Sequence, residues 1–157
     1  MIKMKVTGLA PAILRLRNIA DTVPSTARKQ MTRSAERIVK VAKILVPRDT
    51  GLLEESIRIE KSYGTRGRLQ IDIVAGGTGE VLRGDGYITL DQYASVVHEH
   101  YEDWVIRTNG MGPNTLAKQA ANPEHVIGSK FLERAAVAEE PKLERNIIQS
   151  ILQVTEQ

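Results

Sequence analysis

The chain has 157 residues, 41% of them hydrophobic but with one Phe and one Trp, and a formal net charge of +3. That length suits a single domain with a core of Ile, Leu, Val and Ala, and no apolar run approaches the ~20 residues of a membrane-spanning helix, so a soluble protein is expected. The absence of cysteine excludes disulfides, thiolate zinc sites and cysteine nucleophiles, and fits synthesis in a reducing cytoplasm.

The start, "MIKMKVTGLAPAIL", breaks at Gly8 and Pro11 before any signal-peptide-like apolar stretch forms, so export is not expected. Ile13, Leu14, Leu16 and Ile19 predict a first helical segment, and "DTVPS" at 21–25 predicts a break or kink after it. From Ala27 the apolar positions Met31, Ala35, Ile38, Ala42 and Leu45 follow at helical spacing. Arg28, Lys29, Arg33, Arg37, Lys40 and Lys43 make the rest of this long N-terminal helix cationic. Pro47 ends it, because the residue before a proline is pushed out of the α region.

"SIRIEKSY" and "LQIDIVA" alternate apolar and polar residues around "GTRG", which predicts an antiparallel hairpin. The glycine-rich stretch 76–92 reads as an extended loop. "YASVVHEHYEDWV" reads as a short helical turn or strand, and residues 107–129 as a second long loop of the kind that reaches a partner. A final helix follows from about Lys130, with Leu132, Ala135, Leu143, Ile147, Ile151 and Val154 on one stripe and Pro141 inside it as a predicted kink or break. The expected fold is α+β: a long N-terminal helix, a small antiparallel sheet, and a C-terminal helix packed on the sheet.

Charge is split along the chain. Residues 1–48 hold eleven bases against Asp21 and Glu36, a net of +9, and the remaining eleven bases and seventeen acids give −6. Such a split suits a nucleic-acid surface or copies that dock head to tail.

Asp49-Thr50-Gly51 is the triplet around the catalytic aspartate of an aspartic protease. That chemistry needs the triplet on a loop leaving a strand, with a second carboxylate to share a proton. Here it follows a cationic helix, Pro47 and Arg48. The expected role is therefore structural: Asp49 and Thr50 cap a helical turn over "GLLEES", and Gly51 turns the chain. His98, Glu99 and His100, with His125 as a distant candidate, hold metal-capable groups but lack the His-Glu-x-x-His spacing of a zinc protease. No cofactor or metal is expected.

Three segments together resemble one known family. Ala42, Lys43, Pro47, Asp49, Thr50, Gly51, Leu53, Ser56 and Ile57 match Ala-Lys followed by Pro-x-Asp-Thr-Gly-x-Leu-x-x-Ser-Ile. Tyr93, Ala94, Val97, His98 and Glu99 match a Tyr-Ala-x-x-Val-His-Glu element, and Lys130, Phe131, Leu132 and Ala135 match a closing Lys-Phe-Leu-x-x-Ala. In this order they resemble the tail-completion or neck proteins of tailed bacteriophages, the gene-product-ten-like family, across most of the chain. The two long loops and Trp104 depart from that pattern.

The resemblance implies a non-enzymatic virion protein, made in the host cytoplasm. It implies a homo-oligomeric ring at the head-tail junction, hexameric first and dodecameric second. Its partners would be the phage head-connector (adaptor or stopper) proteins and the tail terminator or tail tube protein. Double-stranded DNA would pass through the lumen without sequence readout, and no membrane is involved. The alternative is a DNA-binding protein using Arg28, Lys29, Arg33, Arg37, Lys40 and Lys43.

Overall fold

The structure, a computed structural model, describes residues 9–156, with side-chain surroundings from residue 13. The first eight residues, read above for a leader, lie outside the described residues. The fold is α+β. In order come α1 (Leu9–Leu45), α2 (Leu52–Ser56), β1 (Arg58–Tyr63), β2 (Leu69–Val74), β3 (Glu80–Arg83), β4 (Gly86–Thr89), α3 (Leu90–Arg107), α4 (Pro113–Ala121) and α5 (Phe131–Thr155).

Helix α1 passes through Pro24 without the predicted break. Leu16, Ala20, Val23, Ala27 and Met31 keep one helical register across the proline, and Ser25 Oγ donates to the Thr22 carbonyl at 2.8 Å. A continuous stripe thus outweighs one missing N–H. Pro141 likewise sits inside an α5 that runs on to Thr155.

β1 and β2 pair antiparallel from Arg58 opposite Val74 to Tyr63 opposite Leu69, the expected hairpin. Ile57 closes α2 one residue before the strand and is buried. The 76–92 stretch, expected as a loop, instead holds a second hairpin, β3–β4, and the start of α3. Its turn is Gly84-Asp85, with Gly84 at φ +60°, and Val81 inserts into the core. The two hairpins form separate two-stranded sheets.

Helix α3 also replaces the short element expected over "YASVVHEHYEDWV". Thr89 and Gln92 form a capping box at its start, each side chain bonding the other's backbone N–H. Leu90, Ala94, Val97 and Tyr101 form its buried stripe. The 107–129 stretch, also expected as a loop, contains α4, with Gly112 at the N-cap and Pro113 in the first turn.

One core cluster joins Ala42, Leu45 and Val46 at the end of α1, Leu53 and Ile57 around α2, the α3 stripe, and Phe131 and Ala135 of α5. Ile73 of β2, Ile88 of β4 and Leu132 pack against it. Helix α5 lies chiefly along α1 and meets the sheet side through its first turn. The cluster sits at one end of α1, and α1 and α5 extend away from it as an antiparallel pair.

Candidate functional site

The segment Pro47–Gly51 is held by α4. Thr115 Oγ1 donates to the Arg48 carbonyl at 2.9 Å and accepts from the Arg48 N–H at 3.1 Å, and Asn114 Nδ2 donates to the Asp49 carbonyl at 2.6 Å. Lys118 Nζ reaches the carbonyls of Lys43 and Val46, at 2.5 and 2.8 Å, and Glu54 Oε2 at 2.8 Å. A lysine from a distant helix therefore satisfies carbonyls at the C-terminal end of α1, where the helix dipole is negative. Burial, partly offset by Glu54, lowers the Lys118 pKa.

Of the two residues expected to cap α2, the Asp49 side chain makes no bond to it and Thr50 makes a long one. The N-cap of α2 is Gly51, at φ +97°, with no side-chain cap bond. Thr50 Oγ1 stands 3.5 Å from the Leu52 N–H, too long for a strong bond. Asp49 is exposed, and the bond that holds it to α4 is made by its backbone. Gly51 keeps the role assigned to it, because its positive φ is one that side chains disfavour.

Ser56 of the same segment donates through Oγ to the Leu53 carbonyl and accepts the Gly76 N–H at 2.9 Å. Gly76 has φ +117°, and a Cβ there would lie 2.3 Å from Asp91 Oδ1 and 3.1 Å from Asp91 Cα. Arg58 closes the same corner by donating to the Gly76 carbonyl at 2.9 Å.

The second and third matching segments meet each other. The Lys130 N–H donates to the His98 carbonyl at 2.7 Å, and Phe131 packs edge-on against the His98 ring at 5.0 Å. Glu99 bonds both the Lys130 ammonium and His98 Nδ1, and these two donors, Lys130 first, hold its carboxyl down to about 2. His98 Nδ1 is thus committed, and its Nε2 is buried against protein with no polar partner. His100 faces Asp103 at 3.4 Å instead. Among the described residues no three His, Asp or Glu side chains gather in a geometry able to hold a metal ion.

The cationic residues of α1 do not act as one face. Arg28 donates to the Gly67 carbonyl at 2.8 Å, tying the β1–β2 turn to the helix. Arg37 donates through Nε to Glu139 at 2.7 Å, and Glu139, 6% exposed, also accepts from Ser34 Oγ at 2.6 Å. Burial raises the Glu139 pKa, but the Arg37 and Ser34 bonds more than offset it and the group titrates below its usual range. Lys43 is half-buried near the α4 contact. Lys29, Arg33 and Lys40 remain exposed, with Glu36 among them.

A cleft of about 290 Å³ opens between Arg48, the β3–β4 turn, α3 and α4, lined by Leu82, Tyr93, Tyr101, Trp104 and Pro113. Tyr101 Oη is buried beside Thr115, whose hydroxyl is already committed to Arg48, and has no hydrogen-bond partner. Sequence reading missed Lys118, Thr115 and Gly76 altogether. The Gly-Pro start of α4 and the Thr-x-x-Gln box of α3 were the signals that could have pointed to the helices around them.

Compared with protein-family models, curated proteins and solved structures, the chain matches none.

Proposed function

We propose that the chain is a structural subunit of a tailed-phage virion, a neck or tail-completion protein rather than an enzyme. Its copies form a ring at the head-tail junction, six first and twelve second, joining the head connector to the tail terminator or tube while DNA passes through the lumen. One observation carries this reading: the segments behind the family resemblance, far apart in sequence, are direct neighbours in space. The Asp49–Ile57 segment adjoins Gly76 beside α3, and His98–Glu99 of α3 clasps Lys130–Phe131 of α5. Residues that define a shared fold are expected to touch one another, and Ala42, Leu53, Ile57, Ala94, Val97, Phe131 and Ala135 of the three segments share one core cluster.

The rival, DNA binding through the α1 cations, is weakened because Arg28 and Arg37 are spent on contacts within the chain. Electron microscopy and sedimentation of the purified protein test the proposal. Closed rings with an open centre are the expected result, and a chain that stays monomeric at every concentration overturns it. A duplex-DNA affinity that falls steeply with salt, by about 0.9 log units per log unit for each phosphate contacted, would favour the rival.

A further inference from the structure

Helix α1 is 37 residues, about 55 Å, and α5 is 25 residues, about 37 Å. The two run antiparallel, with Ser34 bonded to Glu139 and Gln30 to Ser150. Counting on from these two bonds puts the end of α5 opposite the stretch of α1 between Asn18 and Ser25, so the first turns of α1 extend beyond it. Ile13 and Leu16 continue the stripe that packs on α5 lower down, yet they are 43% and 66% exposed, and Leu14 beside them is 61% exposed. Between Leu9 and Asn18 this helix carries no acid but has Arg15 and Arg17. This end of α1 is an apolar, cationic arm.

Helix α5 carries a matching surface of opposite sign. Glu133, Val137, Glu140, Glu144, Ile148 and Leu152 recur at spacings of three and four, and all six are exposed. They lie on the side of α5 turned away from α1. The head of this face, by contrast, is of mixed charge, where a shallow depression of about 430 Å³ is lined by Lys130, Glu133, Arg134, Val137 and Ala138. One chain cannot bring arm and face together, because its own arm lies past the end of α5 and on the other side of it. Two copies can.

We infer that the arm of one copy seats on the Glu133–Leu152 face of α5 in the next copy of this chain. Ile13, Leu14 and Leu16 pack against Ile148 and Leu152, and Arg17 faces Glu140 and Glu144. The contact joins two different surfaces, so it repeats around a ring and each copy both gives and receives an arm. It names the subunit contact of the ring proposed above and rests on that reading.

The chain has no cysteine, which permits a direct test. Full-length Arg17→Cys and Glu144→Cys proteins are oxidised mildly, separately and as an equimolar mixture. The mixture is expected to give a covalent dimer in at least tenfold excess over either protein alone. A paired charge reversal supplies the second readout. Arg17→Glu, or Glu140→Arg with Glu144→Arg, raises the concentration needed for assembly about tenfold, and combining them restores it. Rings that form with no cross-linked mixed dimer and with no effect of charge reversal overturn this contact and leave the ring reading standing. Cross-linking of Arg17→Cys to itself as efficiently as in the mixture overturns it in favour of arm-to-arm pairing. A wild-type chain that never assembles overturns both.

Discussion

The base of the molecule and its protruding helix pair are built on different terms. In the base, Val46, Leu53, Ile57, Val97 and Phe131 are almost wholly buried, and the polar groups among them are tied to backbone: Lys118 and Thr115 on the end of α1, Ser56 on Gly76. In the pair, no residue from 13 to 33 or from 140 to 156 is fully buried, and the deepest contact is the ionic knot of Ser34, Arg37 and Glu139. The base folds by excluding water. The pair is held at its root and leaves Ile13, Leu14, Leu16 and Leu152 exposed at its far end.

Gly76→Ala gives the largest effect and strikes the base. The new Cβ meets Asp91 from a backbone angle that alanine resists, so a loss of about 3 kcal/mol or failure to fold is expected in denaturant titration. Lys118→Met comes next, leaving the Lys43 and Val46 carbonyls and Glu54 without their donor. Its expected cost is about 2 kcal/mol, and Glu54→Gln, which keeps an acceptor, costs less.

Arg37→Ala tests the pair. Its side chain is 41% exposed, so solvent screening limits the loss to about 1 kcal/mol, and hydrogen exchange should rise along α5 while amides of the base stay protected. An equal rise in both regions would show that the pair and base open as one unit. The smallest effect is expected for Asp49→Ala, within about 0.5 kcal/mol in thermal melts, because its side chain makes no cap bond. A loss of a full cap, about 1 kcal/mol, would return Asp49 to the role its position in the sequence suggests.

What was legible in the sequence was local. The stripe of α1, the β1–β2 hairpin and the turn at Gly51 follow from side-chain period and backbone sterics, which act over a few residues. The α+β class followed from their order. The Asp-Thr-Gly triplet could be separated from protease chemistry on its neighbours alone.

The tertiary structure decided where each group's partner lies. Lys118 completes a helix that ends at Leu45, Glu139 orders Arg37, and Glu99 chooses Lys130. Such pairings leave no periodicity to read, because each joins residues far apart in the chain. The same holds for the full length of α3, which reads as no more than a helical turn or strand, and for α4, which reads as loop, until Val97, Tyr101 and Thr115 find the core. Sequence dictated which segments turn or coil, since those preferences are local. Burial dictated which polar residues are structural, since most buried donors and acceptors, Tyr101 Oη and His98 Nε2 apart, are satisfied by whatever the fold brings near them.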